Sequence, residues 1–443
     1  MSLPVIAIVG RPNVGKSTLF NRLIGKRYAI TSPIPGTTRD RIYHEAELGT
    51  YRVIMVDTGG MEFEKKKDIE ADVQLQAKIA IEEANIIFFV LDGTEPLTSN
   101  DLDCARHLRR SKKPIILIAN KADRKRIAEA VSELYELGLG DPVQISSIHN
   151  FGISELEEAL EKVLKKMKWS KDKPHNKKVI HMAIVGKPNV GKSSLVNALL
   201  SKNRLIVSDK PGTTIDATDT PIKRDGKDYV LIDTAGLRRR GKVKGLERFG
   251  VMRALQAISR SDVTCLVLDW GTGIANQDMH VSEYVLESGK GLIILVNKAD
   301  LMTDPHGDQT NFLAHMQRRM PYIPWAPVLF ISTISKKNIF KIFEMGRDIA
   351  EEMNKKIEDD LFNLFTKTTV LAHPPMRGGH NIIISKGQQT DVFPPTFTFF
   401  ANKPDIIHFS YRRFLENEIR RKFGFYGTAI RVEFKPDWHS QPA

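Results

Sequence analysis

The octapeptide Gly10-Arg-Pro-Asn-Val-Gly-Lys-Ser17 recurs 176 residues later as Gly186-Lys-Pro-Asn-Val-Gly-Lys-Ser193. Three further motifs follow in the same order. Pro35-Gly-Thr-Thr38 returns as Pro211-Gly-Thr-Thr214, Asp57-Thr-Gly-Gly60 as Asp233-Thr-Ala-Gly236, and Asn120-Lys-Ala-Asp123 as Asn297-Lys-Ala-Asp300. The first two of these keep the 176-residue offset, and the last moves to 177. One residue of drift across four motifs is the mark of a duplicated domain. Any fold of the chain must therefore hold two copies of one unit.

Within each copy, short apolar runs alternate with helical patterns. Strands are predicted at 5–9, 53–56, 86–91, 115–119 and 142–145, and again at 179–185, 229–232, 264–268, 292–296 and 328–331. Helices are predicted over 17–23, 74–84 and 102–109. Continuous apolar strands separated by helices imply an α/β class: a mostly parallel sheet with helices on both faces. All four motifs fall at the carboxyl ends of strands, where such sheets bind ligands.

The expected domains are a first copy over 1–165, a basic linker over 166–178, a second copy over 179–352 and a C-terminal module over 353–443. Residues 162–178 include eight lysines and read as a helix end running into a solvated linker. The C-terminal module matches neither copy. Helices over 357–366 and 411–423, with strands at 381–385, 396–400 and 429–434, predict a small α+β unit.

A length of 443 residues accommodates this plan. The longest apolar runs fall far short of the ~20 residues of a membrane span. The opening Met-Ser-Leu-Pro lacks a charged n-region, so a cytoplasmic protein is expected. Two cysteines, Cys104 and Cys265, exclude a disulfide framework. The net charge of +13 points to a polyanionic partner, nucleic acid first and an anionic membrane surface second.

Gly-x-x-x-x-Gly-Lys-Ser between a strand and a helix is a phosphate-binding P-loop. Across Gly10, Arg11, Pro12, Asn13, Val14, Gly15, Lys16 and Ser17, backbone N–H groups turn onto phosphate oxygens, and the helix N-terminus adds its positive dipole end. Gly186, Lys187, Pro188, Asn189, Val190, Gly191, Lys192 and Ser193 repeat the arrangement. Lys16 and Lys192 are expected to neutralise the β- and γ-phosphates, and Ser17 and Ser193 to ligate Mg²⁺. Thr38 and Thr214 are expected to close onto Mg²⁺ in the triphosphate state.

Asp57 and Asp233 end apolar strands and are expected to serve the same Mg²⁺ at one remove. Thr58 and Gly59, or Thr234 and Ala235, carry the chain on to Gly60 and Gly236, whose N–H groups would meet the γ-phosphate. Met61 and Leu237 follow. Asn120, Lys121, Ala122 and Asp123, with Asn297, Lys298, Ala299 and Asp300, select the base. An aspartate carboxylate accepts from the ring N–H and exocyclic amine of guanine, and adenine offers no such donor pair. Ser146-Ser147 and Ser332-Thr333 are expected to present backbone to the guanine carbonyl, or simply to form strand-end turns.

These residues resemble those of translation-factor-type GTPases. Two G domains followed by a small module are similar, in particular, to the Der (EngA) family of ribosome-assembly GTPases. The C-terminal stretches Pro394-Pro-Thr-Phe-Thr-Phe-Phe-Ala-Asn-Lys-Pro404, Tyr411-Arg-Arg-Phe-Leu-Glu-Asn417 and Phe423-Gly-Phe-Tyr-Gly-Thr428 resemble that family's KH-like domain. The resemblance implies hydrolysis of GTP to GDP and phosphate. It further implies a role in large-subunit maturation and nucleotide-switched binding to ribosomal RNA and the large ribosomal subunit. A monomer is expected. A tRNA-modification GTPase would carry one G domain and a C-terminal catalytic cysteine, and neither condition holds here. A scaffold that holds nucleotide without turnover is the other alternative.

Several positions depart from the pattern. Ile215 stands where the first copy has Arg39, Lys336-Lys-Asn338 lacks a glycine, and Arg377-Gly-Gly-His380 is not a Gly-x-x-Gly RNA clamp. Met61 and Leu237 occupy the place of the glutamine that orients water in many GTPases. Asn13 and Asn189 are candidates for holding K⁺ beside the phosphates; the alternative is that they only cap the loop. On the 411–423 helix, Phe414, Leu415 and Ile419 read as core, while Arg412, Arg413, Arg420, Arg421 and Lys422 read as an RNA-facing set. Phe397, Phe399 and Phe400 read as core. Arg238, Arg239 and Arg240 are expected either to be a solvated mobile loop or to alter the docking of the second G domain on the C-terminal module when the γ-phosphate leaves.

Overall fold

The computed structural model describes residues 3–28, 43–57, 81, 84–122, 132–169, 179–200, 218–234, 250–377 and 380–437. Thr38, Thr58, Gly59, Gly60, Met61, Asp123, Thr214, Ala235, Gly236 and Leu237 lie outside the described residues. So do Arg238 to Arg240, residues 170–178 and most of the helix expected over 74–84. The chain forms two compact units, one from the first copy and one from the second copy together with the C-terminal module.

The first unit runs β1 (Val5–Val9), α1 (Lys16–Tyr28), β2 (Tyr43–Leu48), β3 (Tyr51–Asp57), β4 (Ile86–Asp92), α2 (Ser99–Arg110), β5 (Ile115–Asn120), β6 (Val143–Gln144) and α3 (Ile153–Lys166). Its sheet order is β2-β3-β1-β4-β5-β6. Every pair is parallel except the β2–β3 edge hairpin. All five residues of β1 and all seven of β4 are buried, as strands covered on both faces require. Leu156, Leu160 and Leu164 recur every four residues along α3, so they form one stripe packed on Ile6, Ile8 and Phe88. Each such side chain contributes about 1.5–3 kcal/mol on burial.

The second unit opens with the same arrangement: β7 (Val179–Val185), α4 (Lys192–Leu200), β8 (Thr220–Arg224), β9 (Lys227–Ile232), α5 (Gly250–Arg260), β10 (Val263–Asp269), α6 (Asn276–Glu287), β11 (Gly291–Asn297), α7 (Pro305–Arg319), β12 (Val328–Phe330) and α8 (Lys341–Met353). Its order, β12-β11-β10-β7-β9-β8, is the first sheet read backwards, again with one antiparallel edge pair, β8–β9. Asp225 and Gly226 take φ values of 48° and 75°, the two left-handed positions of a tight hairpin turn.

The C-terminal module adds α9 (Asp359–Ala372), β13 (Met376–Arg377), β14 (His380–Asn381), β15 (Ile384–Val392), β16 (Pro395–Ala401), α10 (Phe409–Phe423) and β17 (Arg431–Pro436). β15 and β17 flank β16, antiparallel and parallel respectively. The single strand expected over 381–385 is in fact two: one ends at Asn381 and a longer one starts at Ile384. Its polar residues hid it. Gln389 is buried, accepting from the Ile357 N–H at 2.8 Å and donating to the Lys355 carbonyl at 2.9 Å. The helix expected over 357–366 starts two residues later and continues to Ala372.

The module docks on the second copy through backbone and side-chain contacts. The Leu292 N–H donates to the Gly427 carbonyl at 2.8 Å, beside a Gly291–Thr428 bridge. The Arg431 guanidinium donates to the Glu287 carbonyl at 2.8 Å. This contact lies at the start of β11, whereas Asn297 lies at its end, roughly 20 Å away at strand rise.

Candidate functional site

Each P-loop leaves a buried strand and turns into a helix whose first turn has no acidic residue, an end suited to an anion. Val14 and Val190, each 1% exposed, peg the loops to their cores. Asn13 and Asn189 both take left-handed φ, 66° and 63°, and are exposed. Gly15 has no room for a side chain: a Cβ there would lie 2.3 Å from Asn120 Nδ2, and one on Gly191 would lie 2.2 Å from Asn297 Nδ2.

Lys16 Nζ donates to the Arg11 carbonyl at 2.8 Å, and Lys192 Nζ to the Gly186 and Lys187 carbonyls at 2.7 and 2.5 Å. Both ammonium groups thus curl over their own loops. Burial pulls the Lys16 pKa down, with the Asp57 carboxylate opposing. Ser17 and Ser193 sit in the first helical turn. Pro12 is exposed and Pro188 half-buried. The Arg11 side chain reaches across the loop to Glu95 at 2.5 Å and Asp101 at 3.5 Å, while Lys187 donates to the Gly273 carbonyl at 3.2 Å and lies 3.8 Å from Asp278.

Asp57 and Asp233 are not placed alike. Asp57 closes β3 in extended backbone and is 4% exposed. Asp233 lies just past β9 with φ 54°, and its N–H donates to Asp219 Oδ1 at 2.9 Å. Beside it, Thr234 and Thr220 share a hydroxyl bond at 2.6 Å.

Asn120 joins three segments. Its Nδ2 donates to the Val14 carbonyl at 2.8 Å, and its Oδ1 accepts from the Ser147 N–H at 3.1 Å and the Ser147 hydroxyl at 2.9 Å. Asn297 does the same with Val190 at 2.8 Å and the Thr333 N–H at 3.3 Å. The Ser147 and Thr333 N–H groups expected to face a guanine carbonyl are therefore committed to these asparagines. Ala122 N–H bonds the Ile145 carbonyl at 2.9 Å, and Ala299 N–H the Ile331 carbonyl at 3.0 Å. Asp300 is exposed in a short 3-10 turn, Ala299–Leu301.

Sequence reasoning missed Asp92 and Asp269. Each ends the strand beside its asparagine, opposite Asn120 and Asn297 in register. Lys121 Nζ lies 2.5 Å from Asp92, and Lys298 Nζ lies 2.6 Å from Asp269. Burial pushes the Asp92 carboxyl up, but the Lys121 ammonium and the Thr94 donors outweigh it and hold it below its ordinary range. Asp269 is depressed likewise by Lys298 and backbone donors. The signal was available, because both aspartates follow a buried strand in corresponding positions of the two copies. Arg22 was also missed; it donates to the Ser147 and Ile148 carbonyls at 3.0 and 2.6 Å, and its counterpart is Ala198.

The missing glycine in the second copy has a physical substitute. Gly152 takes φ 72°, and a Cβ there would lie 2.0 Å from the Gln144 carbonyl oxygen. Asn338, in the equivalent place, takes φ 60° and donates to the Phe330 carbonyl at 3.0 Å. Asparagine tolerates this conformation because its short amide bonds locally.

Among the described residues, no three His, Cys, Asp or Glu side chains gather as a metal cage. Cys104 and Cys265 are free, and burial pushes both thiols up to about 12. No described helix is long and apolar enough to cross a membrane.

The pattern of the family described as "50S ribosome-binding GTPase" matches residues 5–121 and again 181–298. That described as "KH-domain-like of EngA bacterial GTPase enzymes, C-terminal" matches residues 356–435. The GTPase Der of Caldanaerobacter subterraneus subsp. tengcongensis is 44% identical, over 98% of this chain and 99% of its own. The GTPase Der of Alkaliphilus metalliredigens is 43% identical, over 98% and 99%.

Proposed function

The chain belongs to the Der (EngA) family of GTPases, and on that premise we propose that it acts in maturation of the large ribosomal subunit, binding ribosomal RNA under control of its nucleotide state. It is a P-loop GTP hydrolase with two G domains and a C-terminal KH-like domain. The observation that carries the reading of both sites is the duplicated asparagine bridge, which ties phosphate loop to base loop in each copy.

In this reading Asp123 and Asp300 hold guanine, with Lys121 and Lys298 fixed beside it by Asp92 and Asp269. Lys16 and Lys192 leave their loop carbonyls for the β- and γ-phosphates. Gly60 and Gly236 offer N–H groups to the γ-phosphate, where water attacks. The half-buried lysines, left-handed loop backbone and acid-free helix starts fit a nucleotide triphosphate. Ser17, Thr38 and Asp57, with Ser193, Thr214 and Asp233, would hold Mg²⁺, which supplies charge neutralisation to the phosphates. Met61 and Leu237 cannot hydrogen-bond a water, so charge in the transition state is met otherwise. Asn13 and Asn189, exposed at the loop crest, would hold K⁺ there. Turnover in KCl against NaCl at equal ionic strength tests this, and equal rates would refute it.

The net charge of +13 and the description of the matched family support the large subunit as partner. We place the chain in the cytoplasm, as a monomer. Co-sedimentation with ribosomal particles in GTP, GDP and nucleotide-free buffer tests the role; indifference to nucleotide would remove the switch.

A further inference from the structure

The basic run on α10 (Phe409–Phe423) is not one free face. Arg420 donates to the Phe425 and Thr428 carbonyls at 2.7 and 2.8 Å and lies 5.0 Å over the Trp325 ring; burial lowers its pKa to about 10. Arg412 lies over Phe434 at 5.8 Å, Arg413 reaches the Pro321 carbonyl at 3.4 Å, and Arg421 pairs with Glu418. Most of the expected RNA-facing set thus holds the module together or joins it to the second G domain.

The sheet β15-β16-β17 offers another surface, on which two lysines stand beside one glutamate. Along β16, Phe397 and Phe399 are fully buried in the core with Phe362. Strand alternation places Phe400 on the opposite face, where it is half-buried rather than core. In register, Lys386 of β15 lies opposite it on one side and Lys435 of β17 on the other. Both lysines are exposed. The next row on this face is Gln388, Thr398 and Glu433, and Lys435 Nζ lies 3.5 Å from Glu433. Strands stand about 4.8 Å apart, so the two lysine stems flank the ring closely.

We propose that this face docks single-stranded RNA, one base stacking on Phe400 while the phosphates on either side meet Lys386 and Lys435. The inference rests on the reading that the C-terminal module contacts RNA, and it names the surface. Aromatic stacking with flanking cations is how sequence-tolerant single-strand sites are built. The module's Gly-x-x-Gly stretch, Gly424-Phe-Tyr-Gly427, is not available as an RNA clamp, since Phe425 is fully buried and the Gly427 carbonyl accepts from the Leu292 N–H at 2.8 Å. Charge favours a polyanion, and the flat ring favours one that carries bases over an acidic peptide.

The test is fluorescence anisotropy of the full chain with a labelled 12-nucleotide oligouridylate across a salt series. F400A is expected to weaken binding at least tenfold with the salt slope kept, while F400Y retains binding. K386A/K435A is expected to weaken binding and lower the salt slope by about 1.4, the counterion release of two single-strand phosphates. GTP hydrolysis should be unchanged in each. Should R421A/K422A abolish binding while F400A and K386A/K435A bind normally, the sheet face is refuted and the RNA reading survives. If the wild-type chain binds neither this RNA nor ribosomal particles, the parent reading falls too. Equal competition by polyglutamate would overturn the nucleic-acid assignment.

Discussion

Asn120 Nδ2 donates to the Val14 carbonyl at 2.8 Å, across 106 residues of sequence, and Asn297 repeats the bond to Val190 at the same length. Both asparagines are almost fully buried. The bond ties the geometry of the phosphate loop to the strand end that precedes the base loop.

Asn120→Ala leaves the Val14 carbonyl and the Ser147 donors without this partner, a loss of roughly 1–3 kcal/mol per stranded group. We expect GTP affinity at the first site to fall by one to two orders of magnitude while the second site keeps its own. Titration of a fluorescent, non-hydrolysable GTP analogue, read at the first site in an Asp300→Asn background and at the second in an Asp123→Asn background, measures both.

Asp92 carries a pH signature. Its folded pKa is depressed, so the stability it contributes is complete above the ordinary carboxylate value near 4 and is lost as pH falls through the lower folded value. Asp92→Asn lacks that component. The variant's first G domain should be less stable at pH 7 by roughly 1–3 kcal/mol, and the gap should narrow on acidification below pH 4. Urea unfolding at pH 7 and in acid reads the sign; a gap that widens in acid would contradict the ion pair.

Gly152 and Asn338 answer one backbone demand differently. Gly152→Ala places a Cβ against the Gln144 carbonyl and should cost about 3 kcal/mol or more in the first G domain. Asn338→Gly relieves left-handed strain but loses a side-chain bond, and should stay within about 1 kcal/mol. Thermal unfolding of the two variants should therefore differ in rank.

The buried parallel strands were legible because both faces are covered and their apolar runs are unbroken. The antiparallel edge strands β2 (Tyr43–Leu48) and β8 (Thr220–Arg224) were not read, since charged and polar residues interrupt them; the Asp225-Gly226 turn was the one clear trace. Motif residues were legible through repetition. Asp92 recurs as Asp269 but was passed over, because an aspartate at a strand end outside the four motifs looks like a turn residue, and Arg22 has no counterpart, so an arginine on a helix looks like surface until tertiary contact gives it partners. Arg420 misled by its company: four basic neighbours suggested an RNA-facing set, yet its planar fork matches the Phe425 and Thr428 carbonyls.

Arg420 therefore predicts a structural phenotype. Arg420→Ala frees two carbonyls at the junction and removes the guanidinium from Trp325. The C-terminal module should lose roughly 2–4 kcal/mol and become sensitive to protease under conditions where both G domains remain intact. Limited proteolysis followed by mass analysis checks this; uniform resistance would place the junction's strength elsewhere.

If one chain carries two guanine-nucleotide sites, calorimetric titration of the nucleotide-free full chain with GDP gives two GDP bound per chain. One is expected for Asp123→Asn and one for Asp300→Asn, each variant gaining a site for xanthosine diphosphate. A wild-type stoichiometry of one, or two GDP sites persisting in either variant, would contradict it.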